Sequence, residues 1–369
     1  MLELILGTVF LIYILFIGQL IYGFNRMRRF SKAEFTPKTS FTIVVPFRNE
    51  KENLPNLLHS ISLLNYPKDL VEIILVDDDS YDGWKMEDGR WKFEIRLIKN
   101  EKKSNSPKKD AIETAIEIAK NDWIITTDAD CLVQKDWLTI YDQYIQENEV
   151  EIVASGVCYL PKNGFLSAFQ NLDFLSLQGA TIGSFGIGKP FMCNGANFAY
   201  SKQFFKELNG FQGNETIASG DDVFLLQKAV SFAPKKVGFL LAKESIVATK
   251  PVATWSDLFQ QRVRWASKST GYSSVYGKLL ALVVFGGNLV WIVTFLFWLF
   301  QLIDPNIFLL FIASKFLIDF ILIYKTANFF GSKLQYILAS SLLYPFFSVP
   351  VAIYSLFGKY SWKGRNFKK

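Results

Sequence analysis

The residues with the clearest chemical potential are Asp128 and Asp130, in the run ITTDADC at 125–131. An apolar stretch that reads as a core strand ends there in two carboxylates separated by one alanine. On an extended backbone the side chains alternate faces, so the two point the same way and repel unless a positive group sits between them. A divalent cation is the expected neutraliser. An exposed turn is the plain alternative, because two acids at that spacing are common. A second apolar run, VEIILVDDDS, ends in Asp77, Asp78, Asp79 and Ser80, and a third, FTIVVPF, is followed by Arg48, Asn49 and Glu50. A helix N-cap explains one such acid, but three in succession exceed what a cap requires.

These clusters need a scaffold that brings strand ends together. Strand and helix patterns alternate: FTIVVPF, a helix with Leu54, Leu57, Leu58 and Ile61 on one face, VEIILVDDDS, FEIRLIKN, the helix DAIETAIEIAK, then DWIITTDADC. That order predicts a parallel sheet with helices packed on it. Open α/β sheets bind ligands at the carboxyl ends of their strands, so the polar clusters are expected to converge on one cleft. Lys108 and Lys109 open the second helix. Cations are disfavoured at a helix N-terminus unless an anion is held there, which favours a phosphate contact over solvated surface.

The rest of the chain is too apolar for a soluble protein: of 369 residues, 50% are hydrophobic and 16% aromatic. Residues 4–24 carry no charge and are long enough to cross a bilayer core of about 30 Å. A cleaved signal peptide fits poorly, since the positive charges follow the apolar run and no small-residue cleavage site precedes them. Arg26, Arg28, Arg29 and Lys32 follow directly, which puts the N-terminus outside and the next region in the cytoplasm. Cys131, Cys158 and Cys193 form no Cys-x-x-Cys pair and fit a reducing compartment. The net charge of +6 is scattered or beside apolar segments, so anionic lipid headgroups, not nucleic acid, are the expected partner.

Residues 279–303 and 334–358 are also uncharged and of spanning length, whereas 306–324 contains Lys315 and Asp319, which pair at i, i+4 on one helix face. If all three cross, the basic tail KYSWKGRNFKK lies outside. If the middle one is re-entrant or interfacial, the tail returns to the cytoplasm, the arrangement closer to the positive-inside rule.

Taken in order, PFRNE (46–50), VDDDS (76–80), PKKDAI (107–112), DAD (128–130), CNGANFAY (193–200), GDD (220–222) and QRVRW (261–265) resemble the family 2 glycosyltransferases with a GT-A fold. The flanking apolar segments are similar to those of membrane-embedded members such as cellulose, hyaluronan and ceramide-glucoside synthases. The resemblance implies a Rossmann-like α/β nucleotide-sugar-binding domain between transmembrane helices. Its divisions would be a transmembrane helix at 1–25, a cytoplasmic GT-A domain at 38–254, and an interfacial helix carrying QxxRW at 255–277. A membrane region of two or three helices at 278–358 and a basic tail at 359–369 complete it.

By the same resemblance, Pro46, Glu50, Asp77 and Asp78 belong to the nucleotide pocket and Lys108 contacts the donor. Asp128 and Asp130 form the DxD pair that holds Mg²⁺ or Mn²⁺ on the diphosphate. Asp222 is the general base, Gln261, Arg264 and Trp265 form QxxRW, and Asn194 to Asn197 line the acceptor side. A UDP-sugar is the implied donor, a lipid-linked or saccharide chain the implied acceptor, and the plasma membrane of a bacterium the implied location, with an oligomer or glycan-assembly proteins as further partners. Departures from the family pattern are Asp79 in place of a frequent glycine, no glycine before Lys108, and Asp221-Asp222 instead of Glu-Asp, which leaves either neighbour as the base.

The chemistry asks for these residue types on its own account. A nucleoside diphosphate leaving group is strongly anionic, so a hard cation held by carboxylates stabilises it, and Arg264 adds a fixed fork of donors. A further carboxylate must take the proton of the acceptor hydroxyl, and a single base opposite the leaving group implies inversion. Trp265 would stack on an acceptor ring or anchor at the membrane interface. The segment GSFGIGKP at 183–190 mimics a P-loop but ends in proline where Ser or Thr is needed, and no strand leads into it. His59, the only histidine, reads as an ordinary helix-face residue. The other readings are a processive polysaccharide synthase with translocation and, more remotely, a membrane transporter component suggested by Lys315 and Asp319.

Overall fold

The computed structural model describes residues 2–86, 91–213, 220–357, 360–362 and 365–367. In chain order, α1 (Leu2–Arg26) leads to β1 (Phe41–Phe47), α2 (Leu54–Ser62), β2 (Val71–Asp77), β3 (Glu94–Lys99), α3 (Pro107–Ile118), β4 (Trp123–Thr126), β5 (Cys131–Leu132) and α4 (Trp137–Glu147). Then come β6 (Ile152–Ser155), β7 (Val157–Tyr159), the long α5 (Phe165–Gly186), β8 (Phe198–Ser201), α6 (Lys202–Glu207), α7 (Asp221–Phe232), β9 (Val237–Leu240) and β10 (Val247–Thr249). The chain continues through α8 (Trp255–Ser267), α9 (Val275–Leu299), α10 (Pro305–Phe330) and α11 (Ile337–Phe357) to the strands β11 (Tyr360–Trp362) and β12 (Arg365–Phe367).

The alternating first half of the sequence forms a parallel sheet, as its pattern predicts. β1 is fully paired with β2, Phe41 beside Val71 through Phe47 beside Asp77, and β4 lies along its other edge. Because those strands are covered on both faces, they read as continuous apolar runs instead of alternating ones. Leu54, Leu57, Leu58 and Ile61 of α2 are all buried against this sheet's core. The second half departs from the parallel expectation. The seven-stranded order is β3-β2-β1-β4-β8-β6-β9, with β8 antiparallel to both β4 and β6. β8 arrives after α5 from the opposite direction, so it closes the sheet without a right-handed parallel crossover.

Among the described residues four helices, α1, α9, α10 and α11, are long and apolar enough to cross a membrane. α1 is fastened to the α/β domain by α5, and glycine makes the contact close. A Cβ on Gly183 would lie 2.4 Å from the Leu20 carbonyl oxygen, and one on Gly186 would lie 1.9 Å from that of Gly23. The P-loop-like run 183–190 is therefore a helix terminus pressed on another helix, not a phosphate loop. Gly183→Val is expected to push α1 off α5 and cost about 1–3 kcal/mol, the usual penalty of overpacking, as a lowered midpoint of thermal unfolding in detergent. Unchanged unfolding would show that the contact carries no stability.

The middle C-terminal segment was the expected candidate for a helix that does not cross. Over that segment α10 is one continuous helix of 26 residues. Its charges are internalised: Lys315 Nζ lies 2.6 Å from Asp319 Oδ2, and the Tyr13 hydroxyl donates to Asp319 Oδ1 at 2.5 Å. It is α11 whose two ends both return to the α/β domain. Tyr336, just before it, meets the Phe165 ring edge-on at 5.7 Å; near its end Tyr354 packs on Phe259 of α8, also at 5.7 Å, and Val351 shares a cluster with Val263. Of the basic tail 359–369, residues 359, 363, 364, 368 and 369 lie outside the described residues, as does Gly358.

Candidate functional site

The carboxyl ends of β1, β2 and β4 open into one cavity of about 1290 Å³. Pro46, Glu50, Asp78, Lys108, Asp128, Asp130 and Asp222 line it, with Gln261, Arg264 and Trp265 from α8. Two sequence expectations change in detail. β4 ends at Thr126, so Asp128 and Asp130 belong to a turn before β5 instead of the strand itself. They still share one cavity, because the turn is pinned by the Cys131 N–H donating to the Asp128 carbonyl at 3.1 Å and by Thr126 Oγ1 donating to the Gly195 carbonyl at 2.6 Å.

Asp77 does not line the cavity. Its carboxylate accepts the Ser80 N–H at 2.9 Å and so closes the turn after β2. Asp78, next along, faces inward, with Oδ1 accepting from Asn100 Nδ2 at 3.0 Å and Oδ2 facing Arg365 Nη1 of β12 at 2.5 Å. The turn is stitched to the β1 terminus. Arg48 Nη1 donates to the Asp78 and Asp79 carbonyls, and the Asn49 N–H donates to Ser80 Oγ at 2.9 Å. Asp79 stands at φ 56°, the left-handed region where glycine is easiest and aspartate is tolerated. The departure from a glycine at that position is thereby accommodated.

Lys108 joins the two acid clusters. Its ammonium is 2.7 Å from Asp128 Oδ1 and 3.6 Å from Asp221 Oδ2. Burial alone pulls this ammonium toward neutrality, but the facing Asp128 and Asp221 outweigh it and hold its pKa well above the ordinary lysine value. Asp221 is buried at the start of α7, and burial raises its pKa against the pull of Lys108, with neighbouring Asp222 adding to the rise. Asp222 is held from two sides: Oδ2 accepts the Gly195 N–H at 2.8 Å and Oδ1 accepts the Val223 N–H at 2.8 Å. The turn into α7 requires Gly220, whose φ of 88° is in the left-handed region and whose Cβ would meet the Phe224 ring at 2.8 Å.

α8 supplies the other wall. Thr254 caps it, accepting the Asp257 N–H at 3.1 Å. Within QRVRW the central Arg262 is turned away from solvent, 5% exposed, and its guanidinium pairs with buried Asp173 of α5. The same guanidinium lies 4.3 Å from the centroid of the Trp265 ring, which also packs on Phe174 at 6.0 Å. Trp265 is thus part of the cavity wall. Asn194 lines the cavity, whereas Asn197 is turned into the core. There it accepts from Trp137 Nε1 at 3.0 Å and the Tyr141 hydroxyl at 2.9 Å, and it donates to the Gly156 and Ser245 carbonyls.

Lys268 was not singled out by motif, yet it lines the cavity. Burial lowers its pKa, and Arg264 adds to the fall against the opposing pull of Asp222. Its sequence signal is the i, i+4 spacing from Arg264, which places both cations on one side of the α8 terminus. His59 is exposed on α2, as expected.

Residues 42–208 match the profile of the family described as Glycosyl transferase family 2. Glycosyltransferase AglE of Haloferax volcanii is 23% identical over 229 residues, which cover 60% of this chain and 70% of AglE. A poly-β-1,6-N-acetyl-D-glucosamine synthase of Staphylococcus epidermidis is 22% identical over 262 residues, which cover 68% of this chain and 60% of the synthase, less than two thirds of its length. The solved mannosyltransferase PcManGT from Pyrobaculum calidifontis, in complex with GDP-Man and Mn²⁺, shares the fold with a TM-score of 0.58 at 17% identity, over 96% of this chain and 99% of that one. Fold and matches together define the class as glycosyltransferases with a GT-A α/β domain flanked by transmembrane helices. Within that class, residues 42–208 of this chain carry a Glycosyl transferase family 2 domain.

Proposed function

We propose that the protein moves a sugar, with inversion, from a nucleoside diphosphate to a saccharide or lipid-linked acceptor at the cytoplasmic face of a bacterial plasma membrane. The observation that carries this reading is the gathering of acids, cations and Trp265 from strand ends and α8 in one cavity. Glu50, Pro46 and Asp78 surround the nucleobase. Lys108, Arg264 and Gln261 hold the diphosphate, with Lys268 as an additional cation. Asp222 accepts the acceptor's proton while Trp265 offers a ring face to its sugar. Asp77 shapes the turn that presents Asp78.

The residues present fit a divalent cation. Among the described residues no group of three or more His, Cys, Asp or Glu is placed to hold a metal. Mg²⁺-type sites need no such group, since one or two carboxylates plus the substrate's phosphates suffice. Asp128 and Asp130 would hold Mg²⁺ or Mn²⁺, which neutralises the diphosphate as it leaves. Support for a nucleotide-sugar donor also comes from PcManGT, bound to GDP-Man and Mn²⁺, so guanine as well as uracil donors belong in the assay. With both ends of α11 against the α/β domain and its middle residue Phe346 on Trp291 of α9, we read α1, α9 and α10 as the crossings and α11 as a helix that dips into the membrane and returns. This leaves the basic tail on the catalytic side, where anionic lipid is available.

The test is release of nucleoside diphosphate from a panel of UDP- and GDP-sugars with Mg²⁺ or Mn²⁺. Asp130→Ala is expected to lower release by about 10²-fold or more, since losing a metal carboxylate forfeits several kcal/mol of charge stabilisation. Release equal to wild type would overturn the metal assignment. A second expectation concerns β12. Arg365 occupies the Asp78 carboxylate at 2.5 Å, so an entering base must displace it. Arg365→Ala is expected to tighten donor binding by about two- to fivefold, the worth of a partly exposed ion pair. Weaker binding in a titration of the variant would show that Arg365 assists the donor.

A further inference from the structure

The cavity does not end at the sugar-transfer site. It continues between the apolar helices, where it is lined by Tyr13, Ile17 and Leu20 of α1, by Gly277 to Asn288 of α9 and by Lys315 to Ile323 of α10. Tyr13 stands about 20 Å along α1 from Arg26, so its level is near the centre of a bilayer core. At that level the described lining stops. Beyond it the same helices are closed by aromatic contacts: Phe10 on Phe311 at 4.9 Å, Trp291 on Phe346 at 5.5 Å, and Trp298 stacked on Phe308 at 4.9 Å.

The deep end is polar and electrically balanced. Lys315 pairs with Asp319, Tyr13 donates to the same carboxylate, and the ammonium lies 5.0 Å from the Tyr13 ring centroid. With its cation already matched, this floor offers no surplus charge to a phosphate. It does offer unmet hydrogen bonds. Asn288, Ser340 and Ser348 are lining residues, and Asn288 Oδ1, Ser340 Oγ and Ser348 Oγ, themselves enclosed, have no hydrogen-bond partner among the described residues. A buried polar atom left unsatisfied costs about 1–3 kcal/mol, which an acyl or prenyl tail cannot relieve and a sugar hydroxyl can.

We propose that this is a blind acceptor pocket: neutral sugar units of the acceptor reach down to the Tyr13–Asp319–Lys315 floor, and the aromatic layer beyond stops the chain from passing through the membrane. The proposal rests on the glycosyltransfer reading above and adds the acceptor's chemical class and a limit on its length. A floor at mid-membrane makes transfer of one or a few sugars the outcome, in contrast to continuous extrusion.

Ser340→Cys, with Ser348→Cys as a second position, in sealed vesicles of either orientation tests this independently of catalysis. A membrane-impermeant methanethiosulfonate reagent is expected to label the new thiol only from the catalytic-domain side, with wild type as blank and the labelled peptide located by mass. Labelling from both sides would reveal a through-channel, and labelling from neither would show the cavity closed; each overturns the proposal. A panel of octyl trisaccharide glycosides is expected to slow labelling about tenfold at ten times Kd, because the free fraction falls as 1 + [L]/Kd. Farnesol and farnesyl phosphate are expected to leave the rate unchanged. Protection by either of them, or by no glycoside, overturns the neutral-sugar assignment. If no donor is turned over, the glycosyltransfer reading falls while the labelling result stands. If transfer yields polymers of many units, the blind pocket falls while the transfer reading stands.

Discussion

Asp222→Asn is expected to lower kcat by about 10²–10⁴, the contribution of a positioned general base, while donor affinity changes little. The asparagine keeps the shape and one oxygen, which can accept from either the Gly195 or the Val223 N–H but not both, so the proton acceptor and one of the two 2.8 Å hydrogen bonds are lost together, and an unchanged donor affinity is the sign that the site remains assembled. Asp221→Asn serves as the comparison. Its carboxylate is buried and faces Lys108 at 3.6 Å, so its loss alters the charge around the donor's phosphates and is expected in donor KM before kcat. Full kcat in Asp222→Asn, together with a collapse in Asp221→Asn, would exchange the two assignments.

The second large effect is on stability. Arg262→Ala is expected to cost about 3–5 kcal/mol, because it leaves Asp173 charged and unpaired in a buried position. The midpoint of thermal unfolding in detergent should fall by on the order of 10 °C. Trp265 loses the guanidinium stacked 4.3 Å from its ring, so activity should fall even at temperatures where the variant stays folded. Arg262→Leu combined with Asp173→Leu removes both charges and should recover much of the stability without the activity. An Arg262→Ala protein that melts with wild type would show that the pair is not buried in solution.

This pair illustrates where reading by motif falls short. QRVRW was recognisable, and its flanking Gln261, Arg264 and Trp265 do line the cavity. Which arginine binds and which one braces was not visible, since Asp173 lies 89 positions away on a helix of unremarkable local pattern. Asp77 and Asp78 are equally ambiguous in the sequence, and the backbone turn alone decides that the first caps and the second faces the cavity. Asn197 shared a motif with Asn194, but its side chain is claimed by Trp137 and Tyr141, which only packing brings near. Lys268 and Arg365 carry no motif at all.

By itself the sequence determined what depends on neighbours a few residues apart: the apolar strands β1, β2 and β4, the buried face of α2, the uncharged apolar runs of the three helices α1, α9 and α11, and the carboxylates after each strand. Periodicity and burial write such features directly into local composition. The tertiary structure alone decided the antiparallel insertion of β8, the return of α11 to the α/β domain, the pairing of Arg262 with Asp173, and the extension of the cavity to Tyr13 and Asp319. Each of these joins segments far apart in the chain, and their meeting is settled by which surfaces pack together when the whole molecule closes.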